Sequence, residues 1–577
     1  MTVMKKRGKR GFSRSVTTAD PEKLILHQLK MRAIRFARKK MISTLCSCRG
    51  LMLLFLTACA IFATTVIVTG FLNSGRDKYI AAVVEYSPLE WDGIEKPKEM
   101  ILRNANRYAK IIERAAKENA DIIVFPECGL TTLNLPVTRE GISTYATFIP
   151  NPVEKRTPCT DKDTGLAEHL RVLSCAAKNN NMYVVVNLDE KISCDADMQG
   201  CPKDRLIFFN TNIVFDRNGT ILSKYRKFNL FREPEFNSTI FPIYSVFKTD
   251  FGATFGMFIC FDILFAQPAE VIVSKYKVTD ILYSTAWFSE LPFLTAVQTQ
   301  AGYSYSMNVN LLASGYNRPD LYSGGSGIYA GEDGPIVTTM PDSRTTRLLV
   351  GELTIYGTGR RRPVCDYADS CPTPRGKVID MQFNDTYHYP QKTGIVFYKD
   401  DLTKYTSKFI EEAISYEHSV IQPLGDDKET NFEYSRNGFN CSITVTWTRD
   451  KDAPEGGPVY RLLAHSGVRS FSGVRNAYIE VCALVACADR SIESCGKRPS
   501  FDIVDSRTKI KNINIHTESL NITTPFVSTL DENIYPLMGN ELSFIESIDT
   551  FRGNIQKTYL FLEKPKDNLI TFGVYKL

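Results

Sequence analysis

Gly-Met-Phe-Ile-Cys-Phe-Asp, residues 256–262, reads as an apolar strand that breaks off at a sharp turn carrying a thiol, Cys260. Short apolar runs stopped by turn residues have the pattern of strands buried in a sheet. Asp-Ile-Ile-Val-Phe-Pro-Glu (121–127) ends another such strand on Glu127, and Ser-Lys-Tyr-Arg-Lys-Phe-Asn-Leu-Phe (223–231) ends a third on Lys227. Each residue alone has a bland reading. A strand cysteine is usually inert core, a carboxylate after Pro is usually solvated, and a lysine after a hairpin is usually on the surface. A carboxylate, an ammonium and a thiol delivered together by strand ends have the parts to cleave a carbon–nitrogen bond.

Outward from these stretches, β-type and helical patterns alternate from Lys78 to about Ile355. Tyr79–Glu85 and Ile122–Pro126 are short apolar strands. Glu99–Asn119 is a helix by spacing, with Ile101, Ala105, Tyr108, Ile111, Ile112 and Ala115 on one face. Leu166–Ala177 is a second helix and Tyr183–Leu188 a strand. Phe208–Phe215 and Ile221–Tyr225 flank Asp-Arg-Asn-Gly, a hairpin turn, since Asn-Gly accepts positive φ. Gly256–Cys260, a helix near Pro268–Tyr276, Ile281–Ala286, a helix near Ala296–Met307 and Leu311–Gly315 complete the series. Hairpins mixed with crossovers predict an α+β fold, two sheet layers with helices outside. Beyond about residue 380 the runs are short and β-type: 395–398, 441–447, 459–463, 478–486, 501–504 and 569–575. This gives a catalytic-type domain over 78–355, an Arg/Pro-rich linker over 356–379, and a mainly β domain over 380–577.

The net charge of +6 misleads, because residues 1–49 hold fourteen Lys and Arg against two acids. The folded remainder is mildly acidic, which argues against a nucleic-acid partner. The basic tail, 1–50, runs into Leu51–Leu72, 22 residues without a charge. That length crosses a hydrocarbon core of about 30 Å as a helix. The preceding positive charge predicts that the bulk of the chain is exported, either as a type II membrane protein anchored by 51–72 or as a secreted protein if that segment is a cleaved signal.

Twelve of the fifteen cysteines follow that segment. In an oxidising compartment Cys194/Cys201 and Cys365/Cys371 are expected to staple local loops, and Cys441, Cys482, Cys487 and Cys495 to serve the C-terminal region in a connectivity sequence leaves open. With Cys260 free, at least one more cysteine is unpaired, and Cys128 and Cys175 are the candidates. Glycosylation sequons occur at Asn218, Asn237, Asn384, Asn440 and Asn521. The six histidines are scattered without ligand spacing, so no zinc site or Cys–His dyad is indicated.

The order Phe-Pro-Glu, Tyr-Arg-Lys-Phe-Asn-Leu-Phe, Phe-Ile-Cys-Phe-Asp resembles the nitrilase (carbon–nitrogen hydrolase) superfamily. The further motifs Asp-Ile-Leu-Phe (262–265), Ser-Thr-Ala-Trp (284–287) and Gly-Ser-Gly-Ile-Tyr (325–329) narrow the resemblance to its vanin/biotinidase branch. The resemblance implies an α-β-β-α four-layer sandwich with an additional C-terminal domain, and neither metal nor organic cofactor. It matches Glu127 to the general base, Lys227 to the oxyanion-stabilising lysine and Cys260 to the nucleophile. Mammalian vanins end in a hydrophobic tail exchanged for a lipid anchor, which the last residues here do not resemble, so anchoring is expected from Leu51–Leu72.

The chemistry is coherent without the family name. A thiol near its ordinary pKa of about 8.5 is only slightly ionised at neutral pH, so a base must activate it. Covalent attack then divides one hard amide hydrolysis into two easier steps. Glu233 and Glu235, six and eight residues after Lys227, both stand as candidates to orient the lysine or the base. Trp287 and Tyr329 read as packing residues, and Gly324–Gly327 as a turn near the pocket. The expected substrate is a linear amide of a small acid: pantetheine first, by resemblance, and a biotinyl amide second. The rival from another class is a surface binding or adhesion protein that keeps the fold without turnover. Nothing in 380–577 identifies a protein partner.

Overall fold

The computed structural model describes Thr2–Val3 and residues 76–577, apart from 91–94, 163–164, 199, 356–375, 384–395, 412–426, 450–457, 497–507 and 551–552. The basic tail, Leu51–Leu72, the Cys365/Cys371 loop, most of the expected linker, Asn384 and the run 501–504 lie outside the described residues. Among the described residues no helix is long and apolar enough to cross a membrane.

The first sheet is built from β1 (Lys78–Glu85), β2 (Ile122–Val124), β3 (Tyr183–Ser193), β4 (Leu206–Phe215) and β5 (Ile221–Arg226). Two helices, α1 (Pro97–Ala116) and α2 (Glu168–Asn179), make the crossovers that let β1, β2 and β3 run parallel. Helix α1 begins two residues before the periodic pattern, because Pro97 occupies the first turn, where its missing N–H costs nothing. Its apolar face (Ile101, Ala105, Tyr108, Ile111, Ile112, Ala115) packs on Ala82, Val84, Ile123, Val184 and Val186. The alternate residues Ala81, Val83, Ile122, Val124 and Val185 face the other way, into a second core. Strand period and helix period thus sort each strand between two layers.

That second core is shared with the second sheet: β6 (Ser245–Lys248), β7 (Thr254–Ile259), β8 (Asp280–Thr285), β9 (Asn310–Gly315), β10 (Ser326–Ala330) and β11 (Pro335–Thr339). Here β7, β8 and β9 run parallel. Helix α3 (Ala296–Met307), between β8 and β9, covers the outer face. The chain returns to the first sheet through β12 (Arg347–Thr354), antiparallel to β1. Residues Gly376–Asp380 (β13), read from sequence as linker running into the second domain, instead form the edge strand beside β12. The result is the helix–sheet–sheet–helix sandwich the sequence predicts. One expected element is much reduced: near Pro268 only a wide turn (Ala266–Glu270) and a single α-helical turn (Val271–Ser274) form. The residue before a proline is pushed out of the helical region, and Gln267 has φ −110° and ψ 117°.

Among the described residues the C-terminal part is mainly β. One sheet holds β14 (Thr406–Phe409), β17 (Val459–Phe471), β18 (Arg475–Cys487), β23 (Leu569–Lys576) and β20 (Pro525–Asp531) in that spatial order. Another holds β15 (Lys428–Arg436), β16 (Phe439–Arg449), β19 (Thr508–Ser519), β22 (Ile555–Leu562) and β21 (Leu542–Asp549), with Thr2–Val3 pairing on β21. The inner faces meet around Ile443, Val445, Leu462, Leu484, Ile513, Leu560 and Phe572. This domain rests on α3. A Cβ on Gly302 would lie 2.5 Å from the Val527 carbonyl, so only glycine permits the approach.

Disulfides join Cys194–Cys201, Cys441–Cys482 and Cys487–Cys495. The sequence expectation for Cys175 is corrected: it is bonded to Cys159. The loop carrying Cys159 folds back on α2, where the Cys159 N–H donates to Ser174 Oγ at 3.0 Å. That approach between a loop and a helix has no sequence signal. Cys128 and Cys260 are the free cysteines among the described residues. Asn218, Asn237 and Asn440 are exposed and Asn521 is half-buried.

Candidate active site

Glu127, Lys227 and Cys260 leave the ends of β2, β5 and β7, on the side where open α/β sheets place ligands at the carboxyl ends of parallel strands. The two sheets are pinned together at this point. Ser284 Oγ donates to the Phe125 carbonyl at 2.7 Å, and Asn212 Nδ2 donates to Ser284 Oγ at 3.2 Å.

Glu127 is 2% exposed and accepts on both oxygens: Oε1 from Lys227 Nζ at 2.6 Å and Asn210 Nδ2 at 2.8 Å, Oε2 from the Ala286 N–H at 2.8 Å. Three donors thus converge on its two oxygens. Lys227 Nζ also donates to Glu233 Oε2 at 2.5 Å. An ammonium has three protons, so one remains beyond these two bonds. Burial lowers the Lys227 pKa, but the charges of Glu127 and Glu233 outweigh burial and hold it well above the ordinary value. It stays protonated at every physiological pH.

Glu233 is chosen over Glu235. Its Oε1 accepts from Asn210 Nδ2 at 2.6 Å and its Oε2 from the Phe231 N–H at 2.9 Å, besides Lys227. Burial raises the Glu233 pKa; Lys227 pulls it down and Glu127 pushes it up, with a net rise. Glu235, half-buried, has no direct bond to the lysine.

Cys260 is 6% exposed and sits at φ 47°, a left-handed conformation that a residue with a Cβ adopts only when its surroundings enforce it. Those surroundings are specific. Asp262 takes the Ile259 N–H at 3.1 Å, the Tyr225 hydroxyl at 2.7 Å and both the N–H and Nδ2 of Asn229 at 2.8 Å. Tyr283 donates to the Cys260 carbonyl at 2.9 Å. Burial, reinforced by the Glu127 charge and opposed by Lys227, pushes the Cys260 thiol far up, so at rest it is a thiol.

Several residues of the site escaped sequence reading. Asn210, which ties Glu127 to Glu233, and Asn187, which donates to Asn210 Oδ1 at 2.7 Å and accepts from the Cys128 N–H at 2.9 Å, lie inside buried strands. The polar Asn-Thr-Asn inside Leu-Ile-Phe-Phe-Asn-Thr-Asn-Ile-Val-Phe was the available signal, since a buried amide must find partners. Asp262, Asn229 and the Ala286 N–H had no such mark. Trp287 is buried, with Nε1 donating to the Leu294 carbonyl at 2.9 Å. Tyr329 bonds Gln300 at 2.9 Å. The Gly324–Gly327 turn grips Glu85 through the Gly325 N–H and Ser326 Oγ.

The model for the family described as Carbon-nitrogen hydrolase matches residues 80–355, and that for the Vanin C-terminal domain matches 408–577. Vanin-like protein 1 of Drosophila melanogaster is 35% identical over 81% of this chain and 81% of its own length. Biotinidase of Bos taurus is 32% identical over 73% of this chain and 79% of its own. Pantetheinase of Bos taurus is 32% identical over 73% of this chain and 77% of its own.

Proposed function

This chain belongs to the carbon–nitrogen hydrolases, in the branch with a vanin-type C-terminal domain, and on that premise we propose that it cleaves a linear amide through a thioester on Cys260, with pantetheine as substrate. The observation that carries the reading is the bonded Glu127–Lys227–Glu233 cluster, whose Glu127 and Lys227 charges act on a thiol held on a left-handed elbow.

In the proposed sequence Glu127 takes the thiol proton and sulfur attacks the amide carbon. The carbonyl π electrons move to oxygen, where the remaining N–H of Lys227 stabilises the charge. Collapse of the adduct breaks the C–N bond, and Glu127 returns the proton to the departing amine. Water, deprotonated by Glu127, then attacks the thioester. The acid leaves and the thiol is restored. From pantetheine the products are pantothenate and cysteamine.

A second reading, hydrolysis of biotinyl amides, has support in the equal identity to a biotinidase and a pantetheinase. Incubating the purified protein separately with pantetheine and with biocytin, and measuring cysteamine and lysine, decides between them. Faster cysteamine release is expected. Cys260→Ala is expected to abolish both, and turnover surviving that change removes Cys260 from the mechanism. The four disulfides among the described residues fit an oxidising compartment. We infer export; N-terminal sequencing of the mature protein tests whether 51–72 is retained, and an end beyond residue 72 excludes an anchor there.

A further inference from the structure

The left-handed elbow at Cys260 and the segment carrying Lys227 are tied to each other at Asp262, which accepts from Asn229 and from the Tyr225 hydroxyl. Asn229 lies two residues after Lys227, and Asp262 two residues after Cys260. The Asn229–Asp262 bonds therefore help set where the ammonium stands relative to the sulfur. Asn229 is 5% exposed, and its side-chain bonds are fully used. Nδ2 donates to Asp262 Oδ1 and to the Gln267 carbonyl, both at 2.8 Å. Its Oδ1 accepts from outside the catalytic sandwich, from Arg475 Nη1 at 2.6 Å.

Arg475 belongs to the C-terminal domain, at the tip of the β17–β18 hairpin. The tip turns through Ser472 (φ 50°) and Gly473 (φ 73°) and lies against the catalytic elbow. The Arg475 guanidinium, exposed on its outer side, stacks on Phe265 at 3.9 Å from the ring centroid. Phe471 packs against Phe261, the residue after the nucleophile, at 5.8 Å between centroids. Arg232 Nη2 donates to the Ser472 carbonyl at 3.3 Å. Behind the tip, the nearly buried Arg469 pairs with Glu290 and with Asp400, the latter at 3.4 Å, and donates to Tyr575 at 2.9 Å. The hairpin is thus anchored just behind its tip and touches the site at its end.

We propose that Arg475 is a positioning residue: the C-terminal domain uses it to fix Asn229, and through Asn229 and Asp262 the placement of Lys227 against Cys260. The inference rests on the roles proposed above for Cys260 and Lys227. It gives the second domain a part in the chemistry that requires no substrate contact.

The test uses the full chain and three measurements: kcat and KM for amide hydrolysis, the rate of Cys260 alkylation by iodoacetamide with the modified peptide identified, and the melting temperature. Arg475→Ala is expected to lower kcat about tenfold, the scale of one charge-assisted hydrogen bond, with KM and melting temperature nearly unchanged. Alkylation of Cys260 slows in parallel, because that reagent needs the thiol's surroundings and no substrate pocket. Arg475→Lys, which retains a donor for Asn229, recovers most of the loss. Wild-type kcat and alkylation in Arg475→Ala, beside an inert Cys260→Ala, overturn the positioning role alone. A lysine variant no better than alanine, or activity that falls only in step with melting temperature, also overturns it. Hydrolysis that survives Cys260→Ala overturns the nucleophile and the positioning role together.

Discussion

Lys227 in the sandwich and Lys576 in the C-terminal domain are both buried against a glutamate, at 2% and 3% side-chain exposure. Their surroundings differ. Lys227 bonds two carboxylates, and their combined charge lifts its pKa despite burial. Lys576 lies 3.3 Å from Glu480, whose other bond is to Ser519, and gives a hydrogen bond to the Asn521 carbonyl. There burial wins and its pKa falls. The neighbouring Cys482 is locked to Cys441, and the free cysteines among the described residues are Cys128 and Cys260. A buried ion pair is therefore no mark of catalysis. What separates the two is the excess of carboxylate around one ammonium, convergent with a free sulfur.

The sharpest way to break this comparison is to remove each ammonium. Lys227→Met is expected to lower kcat/KM by about a thousandfold, the loss typical of an oxyanion donor. Lys576→Met is expected to leave kcat within about twofold while costing about 3 kcal/mol of stability, since Glu480 is left buried without its partner. Urea unfolding and steady-state kinetics on both variants check the pair of outcomes; a catalytic defect in Lys576→Met without lost stability contradicts the division. Glu233→Gln sharpens it further. Removing one of the two negative charges that hold Lys227 is expected to reduce kcat about tenfold and leave KM near its wild-type value, read from the same kinetics.

The smallest effect concerns Asp189, opposite Asn210 in the β3–β4 register. Its Oδ1 accepts from Thr131 at 3.3 Å and its Oδ2 has no partner among the described residues. Burial raises its pKa to about 8, against an unfolded value of about 3.9. Between those values the folded state holds a proton that the unfolded chain has lost, so this group's contribution to stability falls as pH rises. Asp189→Asn removes that slope. Its melting temperature is expected to exceed wild type by a few degrees near pH 8 and to converge with it near pH 4. A constant difference across that range assigns the effect to something other than ionisation.

Much of this was legible in the chain. The apolar runs ending at Glu127 and Cys260 are strands, because short apolar segments stopped by turns have no other stable use here. The helical spacing of α1 appears as read. The helix expected near Pro268 shrank to one turn because the constraint that proline places on its predecessor outweighed the apolar pattern. The choice between Glu233 and Glu235 was not legible: both are carboxylates on one loop, and Glu233 is distinguished by bonds to Lys227, to the Phe231 N–H and to Asn210, from a strand elsewhere in the chain. The Cys159–Cys175 bond was hidden for the same reason.

By itself the sequence determined which strands exist, which of them end in chemically useful groups, and which family the motifs resemble. Those properties are local, fixed by side-chain period and turn chemistry within a few residues. Tertiary structure alone decided which carboxylate holds Lys227, what bends the backbone at Cys260, and that a hairpin from the second domain reaches Asn229. These depend on hydrogen bonds between groups distant in the chain, and burial makes such bonds obligatory without naming the partner in advance.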